Sequence, residues 1–244
     1  MRLRVFTSKD QMARAAAERA AQALNAAIAE RGTANLVLAT GASQFEMLAH
    51  LVTLPVAWRQ VTAFHLDEYI GLTEHHPASF RRYLKERFAA RVPGLAAFYY
   101  IDGSAPDPAA ECRRMNEILA DYPADVACIG IGENGHIAFN DPPADFDTRL
   151  PYLVVELDEA CRRQQLGEGW FAALADVPRR AISMSVHQIL LSRAIVCTVP
   201  DARKAAAVRA AAKGPVTNQV PASILQRHPE CDLFLDHDSA ALLN

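Results

Sequence analysis

The sequence predicts an α/β fold built on one mostly parallel sheet with helices on both faces. Three observations carry that expectation. Short apolar runs alternate with helix-forming stretches along the whole chain, the order that joins parallel strands through helical crossovers. The runs, Val126–Ile131 above all, lack the polar alternation of a half-exposed strand and suit strands buried on both faces. Polar clusters stand directly behind such runs, where open α/β sheets bind their ligands. No linker, low-complexity tract or internal repeat interrupts the 244 residues, which read as a single domain over 1–244.

Composition narrows the function classes. With 51% hydrophobic and 22% charged residues the chain is an ordinary globular one that can bury a sizeable core. A formal charge of −3 gives no argument for nucleic acid or an anionic membrane as a partner. The five cysteines, Cys112, Cys128, Cys161, Cys197 and Cys231, are odd in number and include no Cys-x-x-Cys pair. That pattern argues for reduced thiols in a cytoplasm rather than a disulfide frame or a zinc site. The N-terminal stretch has no apolar segment suited to a signal peptide, and no run approaches the ~20 apolar residues of a membrane span.

Arg2–Phe6 reads as the first strand. Ser8 caps the next helix with Gln11 at the capping-box position, Ala-rich Lys9–Arg31 continues it, and Gly32 stops it. Asn35–Ala39 is a second buried strand, followed by the small-residue turn Thr40-Gly41-Ala42-Ser43 and a helix to about Val52. A strand, a tight turn and a helix start leave free N–H groups that can hold an anion; the same turn also serves as a plain connection, and it is neither a Walker loop nor a G-x-G-x-x-G. Val61–Leu66 is a third strand ending on Asp67-Glu68-Tyr69, two adjacent acids that are either solvated or functional. Pro77–Phe88 is a helix, Phe98–Ile101 a strand and Pro108–Asp121 a helix that leads into Val126–Ile131.

Behind Val126–Ile131 the chain packs Gly132, Glu133, Asn134, Gly135, His136, Asn140 and Asp141 into one loop. Alone, a histidine there reads as a surface residue. The second polar cluster, at Phe64–Leu72, turns the pair into a candidate site. Tyr152–Glu156 is a strand, and Asp158 caps a helix carrying Arg162, Arg163 and Gln164 that Gly167 and Gly169 end. Ala181–Ser185 and Ala194–Val199 are strands around a helix at Val186–Leu191. Asp201 opens a helix to about Lys213, with Lys204 near its start either solvated or holding an anion. Pro221–Leu225 is a short helix, Asp232–Leu235 the last strand, and Ser239–Leu243 a terminal helix. No His/acid pair has metal-ligand spacing on one helix, so a metal enzyme is not expected.

Phe64–Leu72 (F-H-L-D-E-Y-I-G-L) and Gly130–Pro142 resemble two segments of the glucosamine-6-phosphate deaminase (isomerase) family, the second its G-x-G-x-[DN]-G-H-I-A-F-N-[ED]-P stretch. Thr40–Ser43 falls at that family's T-G-G-T phosphate turn and Lys204 at its S-Q-K-A-like segment. Ser223–Pro229 resembles its S-x-L-Q-x-H-P. The resemblance spans most of the chain in the family's order. It implies a modified Rossmann-type domain and a cofactor-free reaction on a small-molecule sugar phosphate, glucosamine 6-phosphate giving fructose 6-phosphate and ammonia. It further implies Asp67 as the base at C2 and His136 in ring opening, since imidazole titrates near neutrality. Asn134 and Asp141 fall where the family orients and tunes that histidine. Thr40, Gly41, Ala42, Ser43, Glu68, Arg162, Arg163 and Lys204 are the implied substrate and phosphate ligands.

The chain departs from the pattern in places. Asn134 stands where many members carry Asp, and Asp141 where they carry Glu. Arg162 keeps the first arginine of the family's T-R-x-A-N-x-R-F-F, whereas the second, a phosphate ligand, has no clear counterpart and Arg163 is the substitute at hand. A different sugar phosphate and a homo-oligomer both stay open. Two rival readings are a 6-phosphogluconolactonase-like hydrolase, whose G-x-D-G-H-x-A-S resembles Gly132–Ala138, and a non-catalytic sugar-phosphate sensor. Ile137–Asn140 and Asp67-Glu68-Tyr69 fit the deaminase better.

Overall fold

Residues 1–243 are described by the structure, a computed structural model. Helix α1 (Lys9–Arg31) starts where Ser8 Oγ accepts the Gln11 N–H at 3.2 Å and ends at Gly32, whose φ of 81° only glycine adopts cheaply. The Gln11 side chain turns to Thr7 instead of closing a capping box. Its buried stripe (Met12, Ala13, Ala16, Ala17, Ala20, Leu24) is mostly alanine, which lets the helix lie close on the sheet.

The sheet beneath it has seven parallel strands: β1 (Arg2–Phe6), β2 (Ala34–Leu38), β3 (Val61–His65), β5 (Ala97–Tyr99), β6 (Val126–Ile129), β9 (Ala194–Val199) and β10 (Cys231–Asp236). Their order is β1-β10-β9-β6-β2-β3-β5. From β2 the chain builds outward through β3 and β5. It then returns to the other side of β2 and builds outward through β6, β9 and β10. The reversal opens a crevice between the carboxyl ends of β2 and β6, the place such sheets bind ligands. Alternate strand residues face opposite cores. Leu36, Leu38, Val126 and Cys128 pack toward α1, α2 (Phe45–Leu51) and α3 (Phe80–Arg87). Val37, Ala127 and Ile129 pack toward α4 (Pro108–Ala120), α6 (Val186–Leu190) and α7 (Ala205–Lys213).

The expectation of one sheet needs correcting. A second, three-stranded antiparallel sheet, β4-β8-β7, is made of β4 (Asp67–Tyr69), β7 (Tyr152–Glu156) and β8 (Arg180–Met184). Leu66 joins the two. Its N–H donates to Leu38 O in the large sheet, and its carbonyl accepts from Met184 N at 2.9 Å. Under the small sheet lies a separate aromatic cluster of Tyr69, Phe80, Phe139 and Phe171. Two ends also differ from expectation. Helix α3 starts at Phe80 rather than Pro77, because Ser79 is extended and caps it by accepting the Arg82 N–H. Residues 237–242 form turns rather than a terminal helix; Asp236 takes the Ser239 N–H and closes the chain back on itself. All five cysteines are buried and free. Among the described residues no helix is long and apolar enough to cross a membrane.

Candidate active site

A cleft of about 700 Å³, counting its open mouth, lies over the carboxyl ends of β2, β3, β6 and β9. Its size suits a small polar molecule. Thr40–Ser43, Asp67, His136 and Lys204 all line it, so the loops behind four separate strands converge there.

At one end the Thr40–Ser43 turn leads into α2. Gly41 has a φ of 92°, which bends the chain so that a short helical turn starts at Ala42. Gln44 anchors this turn from below: its buried amide donates to Ile129 O at 3.0 Å and to Thr198 Oγ1 at 2.7 Å. Facing the turn, Lys204 precedes α7 and is mostly buried. Burial lowers its ammonium pKa, while Glu133 and Glu168 nearby pull the other way. A buried ammonium facing a turn at a helix start is an arrangement that can hold an anion.

At the other end Asp67 opens β4 at 6% exposure. Burial and then the adjacent Glu68 carboxylate push its pKa up to about 8. Across the cleft, His136 lies flat on Gly132; a Cβ at that position would sit 2.2 Å from the imidazole. Asn134 Oδ1 accepts the His136 backbone N–H at 3.0 Å. The ring Nδ1 is 3.1 Å from Asp141 Oδ1, a close but oblique contact rather than an aligned hydrogen bond. Burial would raise the Asp141 carboxyl, but the His136 contact, the Asn134 amide and the Asp158 N–H together hold it below the usual carboxylate range. Asn134 therefore meets His136 through the backbone, and Asp141 is the acid that meets the ring.

Residues 7–233 match the family described as glucosamine-6-phosphate isomerases/6-phosphogluconolactonase. The chain belongs to that family. It is 36% identical over 214 residues to a glucosamine-6-phosphate deaminase of Lactobacillus delbrueckii subsp. bulgaricus, covering 88% of this chain and 89% of that one. With a glucosamine-6-phosphate deaminase of Listeria monocytogenes it shares 34% over 241 residues, 99% of this chain and 100% of the relative. Among solved structures, one described as a monomeric glucosamine-6-phosphate deaminase superposes with a TM-score of 0.90 at 29% identity, covering 99% of this chain and 100% of that one. A 6-phosphogluconolactonase of Shewanella baltica superposes at 0.81 with 21% identity and 97% coverage of both chains, a likeness of fold.

In this family member several expected ligands lie outside the cleft. Glu68 points away from it and holds the start of α3, accepting from Tyr69 N, Phe80 N, Arg81 N and Ser79 Oγ. Burial still lifts its pKa to about 7 against those donors. Arg162 is buried with its guanidinium on Val177 O. Arg163 is exposed and pairs with Glu159 on the same helix, α5 (Glu159–Gly167). Gln164, Gln165 and Glu168 line the cleft in their stead, together with Arg203, which lies 3.5 Å from Glu133. Sequence reasoning missed these. The signal available was helical period: with Asp158 as cap, Cys161, Gln164, Gln165 and Glu168 share the face opposite Arg163.

His136, Asp141 and Cys161 bring possible metal-ligating atoms within 4.8 Å of one another. Their bonding is that of a hydrogen-bond network. Both Asp141 oxygens already have N–H partners, and burial with two neighbouring carboxylates keeps the Cys161 thiol protonated.

Proposed function

We propose that the protein converts glucosamine 6-phosphate and water into fructose 6-phosphate and ammonia, with residues 1–244 acting as one catalytic domain. The observation that carries this reading is the convergence in one cleft of an anion corner, a buried carboxyl lifted toward neutrality and an imidazole set against a fixed carboxylate. Relatives at 34–36% identity are named for this deaminase activity, whereas the lactonase structures stand at 21% identity or below.

In the proposed reaction the Thr40–Ser43 turn and Lys204 hold the phosphate, which fixes the sugar carbons at a set distance from Asp67. His136 moves the proton between the ring oxygen and O1 as the pyranose opens. Asp67, ionised, takes the proton from C2; the C2–H electron pair becomes the C1–C2 double bond of the enolamine while the C1 carbonyl pair moves to O1, which takes up a proton from solvent. The same carboxyl returns the proton to C1, leaving a ketimine at C2. Water adds to that carbon, and the C–N bond breaks to release ammonia. A base with a pKa near 8 is matched to this double role at neutral pH, since it gives back the proton it takes.

The test is ammonia release measured across a panel of amino-sugar phosphates, beside acid release from 6-phosphogluconolactone. Ammonia from glucosamine 6-phosphate is expected. Acid release from the lactone alone would assign the chain to the hydrolase reading, and tight binding of sugar phosphates without turnover of either would make it a sensor.

A further inference from the structure

The loop that carries His136 meets the start of α5 through three side chains. Asn134 Nδ2 donates to Asp141 Oδ1 at 3.0 Å and to Asp158 Oδ2 at 3.1 Å. The Asp158 backbone N–H donates to Asp141 Oδ2 at 3.0 Å, and Asp158 Oδ1 caps α5 by accepting the Cys161 N–H. The third bond of Asn134, from the His136 backbone N–H to its Oδ1, fixes which end of the amide is which. Two carboxylates thus lie side by side in a largely buried space. Among the described residues, the donors between them besides the imidazole and the Cys161 thiol are the amide hydrogens of Asn134 and backbone N–H groups. Like charges this close repel strongly unless donors lie between them.

We infer that Asn134 and Asp158 form a clasp. The Asn134 amide bridges the Asp158 and Asp141 carboxylates, and so seats Asp141 against Nδ1 of His136 while locking α5 onto the catalytic loop. Asn134 and Asp158 are then positioning residues that act through Asp141. The inference explains the amide at position 134 in this chain. An aspartate there can accept the His136 N–H but has no hydrogen to give, and it would add a third carboxylate to the cluster. Asp158 and residue 134 therefore have to be matched: one amide to two acids.

The groups facing the clasp are His136, Asp141, Asp158 and Cys161. Asn134→Asp is expected to lower kcat at least tenfold at pH 8 with KM changed less than threefold. The deficit should shrink below pH 6, where a proton shared among the three acids restores a donor. Asn134→Asp/Asp158→Asn is expected to regain most of the loss, because the amide introduced at 158 donates to the carboxylate introduced at 134 and the charge count is restored. This readout rests on the proposed deaminase activity. A second one does not: the unfolding midpoint of Asn134→Asp should fall with rising pH relative to the parent, and the double variant should recover it. Should Asn134→Asp fail to fold, return of soluble folded protein in the double variant reads the same compensation. A single variant equal to the parent in both readouts, or a double variant no better than the single in folding, stability and rate, overturns the clasp. Failure of all amino-sugar phosphates as substrates, with the stability compensation intact, overturns the functional reading and leaves the clasp standing.

Discussion

Two acidic pairs stand beside the same cleft, Asp67 on its wall and Asp141 behind the His136 ring, and are handled in opposite ways. Asp67 and Glu68 are adjacent in β4 and buried, and both carboxyls are pushed upward. Glu68 spends its oxygens on the α3 start, and Asp67 receives no side-chain or loop N–H among the described residues, so its charged form has little support. Asp141 and Asp158 share the Asn134 amide, yet Asp141 is held below the usual range because donors reach its oxygens. The first pair is buried and the second half-buried, and the supply of hydrogens differs most. One arrangement yields a carboxyl whose proton affinity is raised toward neutrality, the other a carboxylate held in its charged form beside a ring. The enzyme assigns roles to chemically identical side chains by where it puts N–H groups.

The sharpest way to break this contrast is Asp67→Asn. Turnover should fall by about three decades, in line with loss of a general base, and solvent exchange at C2 should vanish while phosphate-dependent binding persists. Normal exchange in the folded variant would remove Asp67 from the reaction. The same substitution should stabilise the fold. A carboxyl raised in the native state binds its proton there more tightly than when unfolded, so stability is lost as pH rises from 3.8 to about 8. Urea unfolding should therefore show no advantage for the variant near pH 4 and one on the order of a few kcal/mol above pH 8.

Lys204→Ala probes the cation that neither acidic pair neutralises. Losing a charge-assisted contact of roughly 1.5–3 kcal/mol should weaken phosphosugar affinity by about one to two decades, measured by titration calorimetry, with non-phosphorylated sugars little affected. Unchanged affinity would place the phosphate elsewhere. Glu68→Gln acts on both the charge and the α3 start, because its amide nitrogen would face donors that both Glu68 oxygens now accept from. It removes the like charge beside Asp67, so the Asp67 carboxyl should ionise at lower pH and the acid limb of the kcat/KM profile should move down by up to about one pH unit. A limb that stays put would mean burial alone sets Asp67. Smallest of all, Arg163→Ala should leave KM unchanged and stability within about 0.5 kcal/mol, as expected for an exposed i,i+4 pair; a raised KM would restore it as a phosphate ligand.

The parts of this design that were legible in the sequence are those written in backbone terms. Ala-rich Lys9–Arg31 with Ser8 and Gly32 at its ends is found where expected, as are the apolar strands and the glycine-flanked His136 loop, because propensity and burial act locally there. The second sheet was not legible. Its β4 is Asp-Glu-Tyr, which has neither apolar continuity nor alternation, and it becomes a strand only because β8 pairs with it from more than a hundred residues away. Side-chain direction was equally hidden. Arg162 and Gln165 are both buried on α5, yet one guanidinium binds the carbonyl of Val177 while the neighbouring amide accepts from Tyr69 and lines the cleft. Motif matching places such residues near a site without saying which way they turn.

Leu66 has a mechanical consequence. Its peptide groups are bonded to both sheets at once, N–H to the large and C=O to the small, and Asp67 is the next residue along. The candidate base thus sits on a weld between two rigid plates, so a tilt of one plate against the other would tear hydrogen bonds at that very point. The amides of Leu66 and Met184 should accordingly be among the slowest in the chain to exchange with solvent deuterium.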